Sequence, residues 1–312
     1  MLGLEVDSVA PLFEELAALK TGIVVSCEKH PDADKLSVCG VDVGADEQLQ
    51  IVCGARNVAA GMKVPVAVVG AVLPNDFRIR KAKLRGVQSM GMICSASELG
   101  LAESSDGIMP LPQAAPVGAD FRDYLALDDA CIDVDLTPDR GDCLSVAGIA
   151  RDVGVLYRSP LSAPVIEPVA VTVKDRMEAI LEVPQDCPRY CCRVVKGIDP
   201  KAATPMWMKE KLRRGGLRPI SPVVDVTNYV MLELGQPMHG FDLARLEGEI
   251  HVRQGESGER ITLLDGSELE IQAGTLLIAD AAKPVALAGI MGGEYSAVSD
   301  QTRDILLESA FF

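Results

Sequence analysis

The chain has 312 residues, 48% of them hydrophobic, and a formal net charge of −15. Such a length supports two or three compact domains with ordinary cores. The acidity excludes indiscriminate coating of nucleic acid, which depends on lysine and arginine displacing phosphate counterions, so any RNA contact must use a local basic strip.

The opening segment carries Glu5, Asp7, Glu14 and Glu15 before the first base, Lys20, which reads against a secretory leader. The longest apolar run of the chain, Val64–Leu73, is interrupted by Pro65 and too short to cross a bilayer, so the expected setting is cytoplasmic with no membrane partner. Nine cysteines is an odd number, and no C-x-x-C pair occurs. Most of them read as small buried apolar residues in a reducing compartment, and no metal site is expected.

From Thr21 to about Leu111 the short runs GIVVSC, SVCGVDVG, QIVCGA and KVPVAVVGAVL are separated by Gly, Pro, Asn and Asp, a pattern of short strands. They fit a five-stranded OB-type barrel, with a sandwich as the alternative. Next, IDVDL alternates as a strand, Pro138 to Gly141 form a turn, and Asp142 is placed to cap a helix toward Leu156. That helix would share Leu144, Ala147, Val153 and Leu156 on much of one face. Ser159–Pro168 is rich in proline and reads as a connector.

A mixed α+β region follows. Thr204-Pro205 starts a helix whose last turn gathers Lys211, Arg213 and Arg214, and Gly215-Gly216 stops it. A second helix runs from Ser221-Pro222 to Gly235 with Val223, Val226, Val230 and Leu234 on one stripe. From Glu249 onward the pattern is strands, with Asp265-Gly266 turning a hairpin between ITLL and ELEI.

Four places bear on chemistry. FRIRKAKLRG sets Arg78, Arg80, Lys81, Lys83 and Arg85 within eight residues without an acid. On a strand the first two would share one face and the other three the opposite one, a ribbon suited to a phosphate track; a solvated face is the plain alternative. Phe77 is the sole aromatic beside them, so backbone contacts are favoured over base readout. In TPDRGDCLS, Asp139, Arg140 and Asp142 suggest a metal or phosphate site, but a turn with Arg140 pairing a neighbouring carboxylate is the stronger reading.

His239 in GQPMHGFD is one of three histidines, set in backbone that Gly235, Pro237 and Gly240 make loop-like. It is either a satisfied core histidine or a group able to orient or deprotonate water. Glu308 in LLESAFF is a carboxylate on an apolar strand that must find a donor. Gly292-Gly293 either let the backbone approach a ligand or form a plain turn.

Taken together, VVDVTNYVMLELGQPMHGFD, TPDRGDCLS, HPDADKL and KLRGVQSMGMICSASELGL resemble the N-terminal part of the bacterial phenylalanyl-tRNA synthetase beta subunit family. The resemblance implies an α+β multidomain chain: an OB-type tRNA-binding barrel inserted in a small α+β domain, followed by a mixed α+β, B3/B4-like editing domain. It divides the chain into residues 1–16, a remnant of the bracketing domain; 17–126, the barrel; 127–168, the rest of the bracketing domain and linker; and 169–312, the first part of the editing domain.

The same resemblance assigns tRNA contact to Lys35 and the basic strip, and puts His239, Asn228, Arg218, Gly292 and Glu308 in a pocket that hydrolyses tyrosine wrongly attached to tRNA(Phe). Phenylalanine and tyrosine are then the small-molecule ligands. It also implies an alpha-subunit partner in an alpha-beta heterotetramer, with ATP and magnesium serving the ligase centre there, and an isolated segment without activity. Arg56 stands where many relatives have proline, and Asp139 where asparagine is more usual. The alternatives are a non-enzymatic tRNA-binding module and a free-standing hydrolase of mischarged tRNA.

Overall fold

The computed structural model describes residues 3–12 and 17–312. The expected boundary at 16/17, with Glu14 and Glu15, lies outside them. Two compact units divide the chain: Val6–Val134, and Asp135–Phe312 with the residues before Val6.

In the first unit, β1 (Leu4–Pro11) precedes β2 (Ala17–His30), β3 (Ala33–Asp42), β4 (Leu49–Cys53), β5 (Lys63–Leu73) and β6 (Phe77–Arg78). The last five form one antiparallel sheet in the order β4-β3-β2-β5-β6. Then come β7 (Ala82–Leu84), β8 (Val87–Ser89) and β9 (Gly91–Ile93). β9 pairs with β5, and Met90 N–H, just before β9, donates to Gln50 O on β4, so the sheet nearly closes into a barrel. Period-two alternation sends Val24, Cys39, Val41, Ile51, Val64 and Val66 to its interior. A sandwich is thereby excluded. Helix α1 (Phe121–Leu125), capped by Asp120, leads to β10 (Ala130–Leu136), which pairs with β1.

In the second unit, α2 (Val146–Tyr157) corrects the sequence reading at its start. Its N-cap is Ser145, whose hydroxyl accepts from Gly148 N, while Asp142 lies in a preceding single 3-10 turn and binds Arg140. Ser145 wins because its backbone is extended where a cap must be, whereas Asp142 is already inside a turn. Of the four residues expected on one face, Leu144 precedes the helix, and Leu144, Val153 and Leu156 are exposed. Residues 161–178 have no regular structure, in keeping with a connector.

Beyond the connector, β11 (Ala179–Leu181) and β12 (Arg189–Val195) precede α3 (Met206–Arg214) and α4 (Pro222–Leu234). Both helices follow their caps: α3 starts after Pro205 and stops at Gly215, and α4 is capped by Ser221 and ends at left-handed Gly235. The apolar stripe expected on α4 is not the face that the helix buries most deeply. Val226 and Leu234 are exposed, and the helix instead buries Asp225 and Thr227. Asp225 accepts from Thr204 Oγ1 at 2.5 Å and from Ile220 N at 2.7 Å, so its burial is matched by two donors.

The remaining strands are β13 (His239–Asp242), β14 (Ile250–Gln254), β15 (Arg260–Thr262), β16 (Glu268–Glu270), β17 (Leu276–Ala279), β18 (Pro284–Leu287), β19 (Met291–Gly292) and β20 (Ile305–Phe311). They build a five-stranded sheet, β11-β14-β17-β18-β19, a three-stranded sheet, β12-β20-β13, and the β15-β16 hairpin, which turns through Asp265-Gly266 as expected. Phe241 and Leu306 from the smaller sheet share one core with Ile250, Val252, Ile278 and Val285 from the larger.

Candidate functional site

The three-stranded sheet sets the site. Pairing aligns Cys192, Glu308 and His239 in one row across β12, β20 and β13, and directly paired residues share a face. Tyr190 and Phe241, each two positions along, lie on that same face, which is turned to the core. His239 is therefore the first residue of a strand, not a loop residue as its glycine and proline neighbours implied; hydrogen bonding to β20 overrides them.

Glu308 is 9% exposed and accepts from the Tyr190 hydroxyl at 2.7 Å. Burial pushes its carboxyl up to about 7, and the Tyr190 hydrogen bond works against that rise. Burial, the Glu308 charge and the hydrogen bond to it together hold the Tyr190 hydroxyl well above the usual phenol range. The His239 ring packs edge-on against Phe241 at 4.5 Å. Burial lowers its pKa, so the imidazole is neutral near pH 7. Its Nε2 is enclosed and has no hydrogen-bond partner among the described residues. At that nitrogen the ring departs from a satisfied core histidine.

Gly292 lies against the ring from the edge of the larger sheet. A Cβ there would stand 2.5 Å from His239 Cε1 and 2.7 Å from Nε2, so only glycine leaves room for the imidazole in this position. Gly292 and Gly293 are part of a strand edge, not a turn: Gly292 O accepts from Leu264 N, and Gly293 N donates to Val285 O.

Asn228 is half-buried on α4, which packs against β13 where Val223 meets Gly240. Arg218 is exposed between the two helices. Among the described residues, no hydrogen bond or ion pair joins either of them to His239 or Glu308. Tyr190 was missed by the sequence reading. Alternation in RYCCRV puts it with Cys192 on one face, but its partner lies 118 residues away, and a pairing that distant leaves no local signal.

The basic strip is also reshaped. Arg78 ends β6, Arg80 and Lys81 lie in the link after it, Lys83 is on β7, and Arg85 sits in the turn to β8. One continuous strand with alternating faces is thus corrected to a link and a tight hairpin. The cause is Arg85-Gly86, both with positive φ (43° and 90°), which bend the chain so that Leu84 pairs with Val87. All five cations are exposed, as is Lys35 on β3. Arg78 pairs with Asp76 at 3.1 Å, while Lys35, Arg80, Lys81, Lys83 and Arg85 form no ion pair among the described residues. His30 of HPDADKL anchors the hairpin: its Nδ1 accepts from Asp32 N at 3.1 Å, which leaves Nε2–H to donate to Leu84 O at 3.1 Å.

Asp142, Cys143 and Asp152 offer ligand atoms within 4.8 Å of one another. A cation already fills the cluster, since the Arg140 guanidinium donates to Asp142 at 2.9 Å and to Asp152 at 2.6 Å. This agrees with the turn-and-pair reading of TPDRGDCLS, and the residues do not fit a magnesium ion.

Residues 19–120 match the family model of a putative tRNA binding domain, and residues 186–312 that of the B3/4 domain. Over all 312 residues the chain is 57% identical to the phenylalanine–tRNA ligase beta subunit of Vibrio parahaemolyticus and 58% identical to that of Hahella chejuensis, covering 39% of each. Among solved structures, an N-terminal fragment of the phenylalanyl-tRNA synthetase beta-subunit from Pyrococcus horikoshii is similar at a TM-score of 0.34 and 14% identity, covering 57% of this chain and 55% of that one. The chain spans a little over a third of the length of the curated relatives it matches, and along that whole span it is similar to phenylalanine–tRNA ligase beta subunits.

Proposed function

We propose that this chain supplies tRNA binding and hydrolytic editing to a phenylalanine–tRNA ligase, removing tyrosine wrongly esterified to tRNA(Phe). The barrel would occupy 17–126, bracketed by 1–16 and 127–168, with the editing domain from 169 onward. The observation that carries the reading is the Glu308 carboxylate, buried at the core-facing surface of a B3/4 domain and already accepting a phenol hydroxyl, that of Tyr190, at 2.7 Å. A site that accepts one phenol proton has the chemistry to read another. Editing is needed because a pocket built for phenylalanine rejects an added hydroxyl by only about a hundredfold.

In this reaction a water oxygen attacks the ester carbonyl carbon, the carbon–oxygen bond to the terminal ribose breaks, and the ribose oxygen takes up a proton. Tyrosine and free tRNA are the products. His239, neutral and with Nε2 unpartnered among the described residues, is the group suited to hold or deprotonate that water. Asn228 and Arg218 would line the pocket mouth, and Lys35, Arg78, Arg80, Lys81, Lys83 and Arg85 would contact tRNA. Partnership with an alpha subunit in a heterotetramer belongs to the complete ligase. So do ATP and magnesium, which activate phenylalanine there and enter no step assigned to these residues.

The test is deacylation of tyrosyl- and phenylalanyl-tRNA(Phe) by the complete ligase with and without Glu308→Ala. A hydrogen bond to a charged acceptor is worth roughly 1.5–3 kcal/mol, so the variant should lose about ten- to over a hundredfold of its tyrosine preference. Full preference in the variant would sink the carboxylate assignment.

A further inference from the structure

Glu308 has two oxygens, and the structure spends one of them. Oε2 accepts from the Tyr190 hydroxyl at 2.7 Å, whereas Oε1 makes no hydrogen bond among the described residues. The bond is diagonal: Cys192 is directly opposite Glu308, Tyr190 is opposite Ala310, and the long phenol reaches back across the sheet. We propose that Tyr190 is the positioning residue of the phenol-reading carboxylate, fixing Oε2 so that Glu308 presents Oε1 to the side-chain hydroxyl of the misacylated tyrosine. This rests on the editing reading above.

The surroundings of Glu308 explain why such a partner is needed. From β12 it faces Tyr190 and Cys192, from the turn before β12 Cys187, and from β13 His239, whose imidazole is neutral. Arg189 and Arg193 alternate to the opposite face of β12. Arg245, in the turn after β13, is directed to Asp242 and to the Tyr295 ring. Among the described residues no cation therefore offsets the burial of Glu308, and Tyr190 is the group that favours its ionised form. The ionised form matters because a charge-assisted hydrogen bond is about twice as strong as a neutral one, and a protonated carboxyl can donate as well as accept. Without Tyr190 the carboxyl would both swing more freely and hold its proton to higher pH.

Tyr190→Phe removes the hydroxyl and keeps the ring. Two measurements apply, each with near-ultraviolet circular dichroism to verify packing. In the 312-residue chain labelled with carbon-13 glutamate, Glu308 should titrate at a higher pH in the variant than in the unmodified protein. In the complete ligase, the ratio of tyrosyl- to phenylalanyl-tRNA(Phe) deacylation should fall by about two- to tenfold at pH 7, the worth of one hydrogen bond, and recover as pH rises. Taking the ratio cancels the general acceleration of ester hydrolysis by base. With Glu308→Gln in the background, which has no charge to regulate, Tyr190→Phe should no longer move the pH profile.

An unchanged titration and an unchanged ratio at every pH would overturn the proposal. A higher tyrosine preference in Tyr190→Phe would also overturn it, because the phenol would then be a competitor for the carboxylate instead of its support. Failure of the editing reading looks different: there Glu308→Ala itself would leave the ratio untouched.

Discussion

Burial keeps the Glu308 carboxyl protonated to about pH 7 in the folded chain, against an ordinary value of 4.5. Between those two values the folded state binds more protons than the unfolded one, so stability falls as pH rises through that window and the full cost is present above it. The difference corresponds to about 3 kcal/mol. Glu308→Gln keeps an acceptor for Tyr190 without the charge. It should therefore melt like the unmodified chain near pH 4.5 and at higher temperature than it above pH 7; coincident melting curves at pH 8 would show that Glu308 ionises without penalty. His239 makes the complementary prediction for chemistry. His239→Ala in the complete ligase should slow deacylation of tyrosyl and phenylalanyl esters alike, by about a hundredfold or more if the imidazole is the base. A change in the tyrosine-to-phenylalanine ratio alone would assign it to recognition instead.

At the scale of elements, what was legible in the sequence was whatever is decided locally. Pro205 and Gly215, or Ser221 and Gly235, delimit α3 and α4 because capping depends on a few neighbouring backbone groups. Asp265-Gly266 likewise announced the β15-β16 hairpin. The N-cap of α2 was misread because two residues with capping side chains stand close together, and only the backbone angles choose Ser145 over Asp142. Which face of α4 is buried was not legible at all: its valines suggested one stripe, whereas Asp225 is held inside by Thr204 and the Ile220 amide. The site divides in the same way. His239 and Glu308 stood out as polar groups in apolar runs, but Tyr190 becomes part of the site only through the pairing of β12 with β20. Asp225→Ala gives a test at this scale. It strands a buried hydroxyl and a backbone amide, and should destabilise the chain by about 3 kcal/mol in denaturant titration. A loss well under 1 kcal/mol would mean that water replaces the carboxylate.

At the scale of the whole molecule, charge decides how the barrel can meet RNA. A chain of net charge −15 repels a polyanion at long range, so the proposed RNA contact would draw its attraction from the exposed cations of the β6–β7 link and hairpin, which His30 fixes to the barrel through Leu84. Each cation that neutralises a phosphate releases a counterion and adds about 0.7–0.9 to the slope of log affinity against log salt. Replacing Arg80, Lys81 and Lys83 together with alanine should then weaken tRNA binding and flatten that slope by about 2–3, if all three touch phosphate. Arg78 is the internal control, because its pairing with Asp76 leaves less of its charge for RNA, and Arg78→Ala should change the slope less than any of the three. The loss should be similar for any tRNA sequence, since one exposed aromatic, Phe77, beside the strip gives little means of reading bases. Filter binding over a range of potassium chloride concentrations measures affinity and slope at once. An unaltered slope in the triple variant would remove the hairpin from the RNA interface and shift attention to Lys35 and the β2–β3 turn.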